Sequence, residues 1–417
     1  MNRRRFIATT AAGLGVLGLP GGRVLGATAK PSDRKLITVF AQGGWDPTRV
    51  FATVFEHSDV DMEPDAALST AGNIPFVDHP DRPSVGSFFH ANHGRMLVAN
   101  GVMVRSIAHE ICTMIAMTGD TSGLLPDWPA IIAAGSSEEL TLPHLVVGGP
   151  SFAGDLGASV ARAGQAGQLE GLLSGEILQT SDLSVYPQSR AAQGIIDRYI
   201  SRRASARAAA ALTGADATLA DAFSESTQRS LGLKDYRYIM DFTSSPDLRA
   251  QAEVAVDALQ TGLSRCVTVG HFGNWDTHAN NDDDQAPLWE DLFQGLGTLM
   301  ALLDETPGAQ KPTLADETVV LVLSEMGRTP QLNGTLGKDH WPFTSMMLLG
   351  PGITPDRVIG GFDAGYMGKT IQHSDGELSP KGQILSAEAI GATVLQLMGV
   401  DPTPHVSGAT AIEGILL

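Results

Sequence analysis

Carboxylate and imidazole side chains stand just beyond several apolar runs of this sequence. They are Asp46, Asp276, His278, Glu325, Asp339 and His340. Such groups together are the ligand set that Zn²⁺ or Mn²⁺ ions use in proteins, and no thiolate is among them. The set exceeds the need of a single four-coordinate ion, so it predicts one or two divalent ions. Two adjacent ions can activate a water or hydroxyl and stabilise a leaving oxygen.

Most of these residues also have a purely structural interpretation. Asp46 and Asp276 could be turn or capping residues. His278 could be a solvated imidazole, and Asp339 and His340 could form a simple hydrogen-bonded pair. Glu325 is harder to explain in this way, because a charge so close to an apolar run needs a partner. The gathering of these residue types favours a polar or metal site.

Arg328, in a turn just past Glu325, is the candidate for substrate binding. Its planar fork of N–H donors matches the oxygens of a phosphate or sulfate. A solvated surface arginine is the alternative. The sequence leaves both interpretations of Arg328 open.

Six apolar runs predict the strands that would position these residues. They are residues 36–40, 96–98, 145–147, 266–269, 318–323 and 346–349. Near-continuous apolar runs of this length indicate strands covered on both faces, and hence a mainly parallel sheet. The carboxyl ends of parallel strands lie on one edge, so residues that follow different strands can meet there.

Helical patterns separate the predicted strands. Between the fourth and fifth runs, leucines recur at helical spacing from Leu288 to Leu303, with Pro287 near the start. Strand, helix and strand form a βαβ unit. The sequence therefore predicts a doubly wound α/β fold, its mainly parallel sheet sandwiched by helices. The Ala-, Arg- and Ser-rich stretch from about 190 to 249 predicts a helical insert.

The N-terminus predicts export. Residues 1–29 contain paired arginines, Arg3 and Arg4, one spacer, two apolar residues and then a weakly apolar Ala/Gly-rich run. This pattern is typical of a twin-arginine signal peptide, and the run is too short to span a bilayer. We expect a periplasmic or secreted protein whose processed chain, residues 30–417, has no integral membrane segment.

The net charge indicates which classes of partner the chain excludes. The net charge of −18 becomes more negative without residues 1–29, because they contain arginines and no acid. Such a surface repels nucleic acid and anionic membranes, so we expect neither as a partner.

Cys112 and Cys266 could form a disulfide in an oxidising compartment. Their apolar sequence surroundings favour two buried free thiols.

Several stretches resemble the DUF1501 family of exported bacterial proteins. They are the leader, Gly-Gly-Trp-Asp at 43–46, Gly-Asn-Trp-Asp-Thr-His at 273–278, Ser-Glu-Met-Gly-Arg-Thr-Pro at 324–330 and Gly-Lys-Asp-His-Trp-Pro at 337–342. That family is grouped with the alkaline phosphatase/sulfatase-like superfamily. The resemblance implies an alkaline phosphatase-like fold and a two-metal site. It places Asp46, Asp276, His278, Glu325, Asp339 and His340 at that site.

One stretch departs from the superfamily pattern. Its enzymes carry a Ser, Thr or Cys nucleophile at a helix start, where this chain has His109, with Ser106 nearby as a possible N-cap. Two functions therefore stay open. One is an exported metal-dependent hydrolase of phosphate or sulfate esters, small or polysaccharide-derived, with His109 as nucleophile, base or ligand. The other is a noncatalytic periplasmic binding or assembly protein on the same fold.

Overall fold

A computed structural model describes residues 33–417, except residues 53, 56, 137–138, 164–168, 170–189, 212–213, 237–238 and 241–244. The predicted signal peptide, residues 1–29, lies outside the described residues. The strands are β1 (Lys35–Ala41), β2 (Ala67–Ala71), β3 (Ile74–Asp78), β4 (Met96–Met103), β5 (His144–Val146), β6 (Val160–Arg162), β7 (Cys266–His271), β8 (Thr318–Leu323), β9 (Gly327–Arg328), β10 (His340–Trp341), β11 (Phe343–Leu349), β12 (Arg357–Gly360), β13 (Thr370–Ile371) and β14 (Gln383–Ile384). The α-helices are α1 (Pro83–Asn92), α2 (His109–Thr118), α3 (Trp128–Ala134), α4 (Arg190–Ala210), α5 (Ala215–Tyr236), α6 (Leu248–Gln260), α7 (Asn281–Glu305) and α8 (Ala387–Leu397).

In the described part of the chain, eight strands form the central sheet, in the order β12-β4-β11-β8-β1-β7-β5-β6. Strand β11 is antiparallel to its neighbours β4 and β8, and the other neighbours pair in parallel. At the centre, Ile37 is in register with Val267 and Val320. The prediction of a mainly parallel sheet is therefore confirmed. The run 346–349 belongs to the antiparallel strand, which begins at the edge where the parallel strands end.

Hydrophobic cores lie on both faces of the sheet, as the apolar runs predict. Ile37 and Val39 of β1 belong to a cluster with residues of α1, α6 and α7. Leu36 and Phe40 point the other way, into a cluster with α2, α3 and α8. Because successive side chains of a strand point to opposite faces, an uninterrupted apolar run serves both cores. Cys112 and Cys266 are free and buried, which confirms that prediction.

The predicted helices are also present. The leucine pattern lies on α7, which begins six residues before Pro287. The predicted insert contains α4 and α5, which pack against each other as a hairpin, with Lys234 Nζ 2.5 Å from Asp197 Oδ2. Within the described residues, no helix combines the length and the apolar character needed to cross a bilayer.

Candidate metal centre

The edge where the parallel strands end brings together residues from distant parts of the chain. His109 is the first residue of α2, in the segment that follows β4. Asp276 and His278 follow β7, and His340 lies in β10 just before the antiparallel β11. The topology thus gathers one carboxylate and three imidazoles at one edge, as the strand pattern predicts.

The four side chains form a tight cluster around His340. Its Nε2 atom lies 3.1 Å from Nε2 of His109, 3.0 Å from Nε2 of His278 and 3.0 Å from Oδ1 of Asp276. Asp276 Oδ2 is 3.4 Å from His109 Nε2. His109, Asp276 and His340 each offer one ligand atom, all within 4.8 Å of one another. His278 Nε2 lies beside them, 3.1 Å from Asp276 Oδ1.

The outer nitrogen of each imidazole is held by an oxygen acceptor. His109 Nδ1 lies 2.8 Å from Glu325 Oε1, and His278 Nδ1 lies 3.0 Å from Asp339 Oδ1. His340 Nδ1 lies 2.6 Å from the carbonyl oxygen of Ile107. These contacts favour the tautomer with the proton on Nδ1, so the Nε2 lone pairs face one another. Histidine ligands of metal ions are oriented in this way by carboxylates and carbonyls.

Glu325 supports the cluster from a fully buried position. Its carboxylate accepts hydrogen bonds from the Gly43 backbone N–H, at 2.8 and 3.1 Å, and from the Ser324 hydroxyl at 3.1 Å. Its hydrogen bond raises the pKa of His109, against the opposing effect of burial. Glu325 therefore lies behind His109, as the partner of its outer nitrogen.

Arg328 is buried and fully engaged. It donates to the carbonyl oxygens of Gly43, Gly44 and Lys338 and, at 2.7 Å, to Asp276 Oδ1. Burial raises the pKa of Asp276, but the hydrogen bond from Arg328 and the positive charge of its guanidinium outweigh it and lower the pKa to about 2. Arg328 is therefore not the solvated surface arginine of the alternative, and its guanidinium donates to oxygen atoms of the protein. It orients Asp276.

Asp46 lies apart from the imidazole cluster. Its carboxylate is fully buried and contacts Lys338 Nζ at 2.8 Å, Thr48 Oγ1 at 2.6 Å and Arg49 Nε at 3.6 Å. Burial raises the pKa of Asp46, but the charges of Lys338 and Arg49 outweigh it and lower the pKa to about 2. The carboxylate also accepts the Thr48 backbone N–H, so the capping alternative describes it better than the metal-ligand hypothesis.

Sequence reasoning missed the role of Lys338. Its ammonium is as buried as Asp46, and its pKa is lowered by that burial. The lysine stands beside Asp339 and His340 in sequence, but its side chain is directed to Asp46 and Thr48. The one available signal is its position next to the predicted ligands. Nothing in the spacing specifies the opposite orientation.

The donor set fits a divalent cation. With metal–nitrogen distances of about 2.0–2.1 Å, ligand atoms of a tetrahedral ion are separated by about 3.3 Å. The 3.0–3.1 Å separations between imidazole nitrogens are close to that value. Side chains of Asp276 and His278 are 41% and 49% exposed, so the cluster opens to solvent. His109, Asp276 and His340 are the residues whose ligand atoms all lie within 4.8 Å of one another, and imidazole and carboxylate donors suit Zn²⁺ or Mn²⁺.

Comparison with known proteins identifies the family but no activity. The model of the family described as "Protein of unknown function (DUF1501)" matches residues 33–411. The resemblance to that family is thus confirmed. No curated protein matches the chain.

Three solved structures are similar to this chain at low sequence identity. Ps i-CgsB in complex with k-i-k-neocarrahexaose has 11% identity and a TM-score of 0.38, with 90% of this chain and 75% of that chain covered. The PsFucS1 sulfatase from Pseudoalteromonas sp. has 9% identity and a TM-score of 0.34, with 88% and 68% covered. The phosphonate monoester hydrolase of Agrobacterium radiobacter has 11% identity and a TM-score of 0.34, with 90% and 78% covered.

Proposed function

We propose that this chain, which belongs to the DUF1501 family, binds one divalent metal ion and hydrolyses an anionic ester with it. The ligands would be His109, Asp276, His278 and His340. The main support for the proposal is the position of three imidazoles. The Nε2 atom of His340 lies beside those of His109 and His278, and the Nδ1 atom of each ring contacts an oxygen acceptor. Lone pairs that face each other at 3.0–3.1 Å repel, and a cation between them removes the repulsion.

We propose one ion rather than two. A second ion near Asp46 would have to displace the Lys338 ammonium, which already neutralises that carboxylate. The guanidinium of Arg328 provides a further positive charge beside Asp276. Lys338 and Arg328 thus supply positive charge on the side of the site where the superfamily resemblance implies Asp46 as a further metal ligand.

The chemistry at the site would be hydrolysis of a phosphate or sulfate ester, small or polysaccharide-derived. A bound Zn²⁺ or Mn²⁺ ion supplies Lewis acidity and lowers the pKa of a coordinated water. The chain's own residues orient the ligands: Glu325 holds His109, Asp339 holds His278, and Arg328 holds Asp276. Water is the proposed nucleophile, because His109, the residue at the start of α2, is in the ligand cluster.

The second candidate is a noncatalytic binding or assembly protein. Two observations favour it. His278 as a fourth ligand would fill the position that catalytic zinc sites keep open. His109 also stands where superfamily enzymes have their nucleophile. Turnover of an ester substrate separates the two candidates.

Metal content of the purified full chain tests the first step. We expect one Zn²⁺ or Mn²⁺ ion per chain by elemental analysis after dialysis against each metal. Asp276→Ala and His340→Ala should lose it, and His90→Ala, which alters an exposed histidine on α1, should keep it. Metal-free wild-type protein would contradict the proposal.

Turnover tests the second step. The metal-loaded chain is assayed on a panel of aryl phosphates, phosphonates and sulfates, with His340→Ala as the metal-free control. Activity that disappears in this variant supports the hydrolase. Full metal occupancy without any turnover supports the noncatalytic candidate.

We also propose export through the twin-arginine route, because residues 1–29 carry the expected pattern. Replacement of Arg3 and Arg4 by lysine keeps the charge but removes the paired arginines. We expect this double variant to stay in the cytoplasmic fraction, whereas wild-type protein reaches the periplasm or medium. Equal export of both would contradict the proposal.

A further inference from the structure

One face of the α4–α5 hairpin combines large apolar side chains with arginines. This hairpin face consists of Ile195, Ile196, Tyr199, Ile200, Arg202, Arg203 and Arg207 on α4 and Leu219 and Phe223 on α5. On α4 these positions follow the i, i+4 spacing of one helix side. Ala204 lies on the opposite side of α4 and is buried. The hairpin therefore presents to solvent the residue types that helices usually bury.

The exposure of this face is large. Leu219 is 69% exposed and Ile195 is 61% exposed, and Tyr199 and Phe223 are each more than half exposed. A groove of about 690 Å³ between Tyr199 and Phe223 is lined by the three arginines. Contiguous exposed apolar side chains of this kind mark interaction sites on soluble proteins.

The arginines of the hairpin face have no acidic partner among the described residues. Elsewhere in the described chain, arginines commonly pair with carboxylates, as in Arg82–Glu63, Arg95–Asp304 and Arg357–Glu377. Arg203 instead lies over the ring of Tyr199, 5.9 Å from its centroid. In a chain with 46 acidic and 28 basic residues, three guanidiniums that lack an acidic partner among the described residues are a local reversal of charge on this face.

We propose that the hairpin face docks on an anionic lipid surface. Arginines beside Ile, Leu, Tyr and Phe match the boundary between phosphate headgroups and acyl chains. A second copy of the chain fits less well, because symmetric packing of this face would bring arginines against arginines. A polyanion alone would leave the aliphatic residues in water. The acidic net charge argues against anionic membranes as partners of the chain as a whole. Because an anionic surface repels the acidic body, that repulsion would turn the hairpin towards the surface.

The hairpin is suited to such a contact. Among the described elements, α4 packs chiefly on α5, and Ile195, Tyr199 and Arg203 are exposed. A helix of 21 residues is about 30 Å long, so it can lie along a membrane surface while the acidic α/β body stays away from the lipid.

Co-sedimentation of the full chain with vesicles tests the proposal. One set contains phosphatidylcholine and phosphatidylglycerol in equal amounts, and the other contains phosphatidylcholine alone. We expect binding to the anionic vesicles that weakens with added NaCl. Replacement of Arg202, Arg203 and Arg207 by glutamine should lower the partition coefficient about a hundredfold, since each arginine near an anionic surface contributes roughly fivefold. Ile195→Gln with Leu219→Gln should also weaken it.

A matched control removes three exposed cations elsewhere, by Arg162→Gln, Lys369→Gln and Lys381→Gln, and should bind like the wild type. Circular dichroism checks that each variant is folded, and the salt dependence of the wild type tests the proposal without any variant. The proposal is overturned by three results. They are absence of binding to anionic vesicles, equal loss in the control, and a concentration-dependent dimer that disappears in the hairpin variants without any vesicle binding by the wild type.

Discussion

Asp46 and Asp276 are two aspartates at the same edge of the sheet that the fold treats differently. Both pKa values are lowered to about 2. Asp46 is fully buried and has its own cation in Lys338, whereas Asp276 is 41% exposed and faces imidazole nitrogens as well as Arg328. The chain supplies the counter-charge of one site and leaves an excess of lone pairs at the other. Proximity to the sheet edge therefore does not by itself make a carboxylate a metal ligand.

The largest expected effect comes from removal of the buried cation. Lys338→Met leaves Asp46 and Thr48 without their ammonium partner in the interior. We expect the free energy of unfolding to fall by about 3–5 kcal/mol, the usual result of breaking a buried ion pair from one side. Urea unfolding of the full chain measures the change.

A second variant separates charge from packing. Lys338→Met combined with Asp46→Asn removes both charges and should recover a large part of the loss, because no uncompensated charge stays buried. Lys369→Met, at an exposed lysine, should change stability by less than about 0.5 kcal/mol. A double variant as unstable as the single one would refute the ion-pair explanation.

Metal addition should stabilise a variant of Asp46 but not a variant of Asp276. At a free Zn²⁺ or Mn²⁺ concentration about a hundred times the dissociation constant, the ion should stabilise the wild type by about 3 kcal/mol. Asp46→Asn should keep this gain, measured against its own metal-free form, because the residue contacts no imidazole of the cluster. Asp276→Asn should lose most of it. Thermal unfolding with and without metal gives the comparison, and loss of the gain in Asp46→Asn would make Asp46 a ligand.

The sequence predicts the fold well for a physical reason. Runs such as Thr318–Leu323 must be apolar on both sides because two cores cover the sheet, and this leaves a continuous signal. The antiparallel direction of β11 carries no such signal. Its residues 346–349 are as apolar as those of a parallel strand, so direction depends on connections that periodicity does not encode.

The sequence predicts where the site lies but not which role each side chain has there. Strand ends place Asp276, His278 and His340 together correctly. The sequence does not show that the Lys338 side chain points inward to Asp46, or that Arg328 donates hydrogen bonds to backbone carbonyl oxygens. These choices depend on side-chain direction and on burial, which distant parts of the chain determine.

Glu325 offers a finer test of the exposed cluster. Glu325→Gln keeps the shape of the side chain but removes the charge that orients His109 through Nδ1. We expect metal affinity to fall about ten- to a hundredfold, as for other partners of histidine ligands. Isothermal titration with ZnCl₂ measures this. Ser324→Ala, which removes a neighbouring hydroxyl from Glu325, serves as the control for altered packing and should have a smaller effect. Unchanged affinity in Glu325→Gln would exclude a positioning role.

The smallest expected effect is the acid dependence of the buried pair. The pKa of Asp46 is lowered in the folded protein from 3.8 to about 2, so its contribution to stability is present above the unfolded value and is lost as the pH falls through the folded one. The difference corresponds to about 2 kcal/mol. Wild-type protein should therefore lose about that much more stability than Asp46→Asn/Lys338→Met between about pH 4 and about pH 2, because the double variant has no group at this position to titrate. Urea unfolding of both metal-free proteins across this range measures the difference, and parallel pH profiles would show that Lys338 does not hold Asp46 ionised.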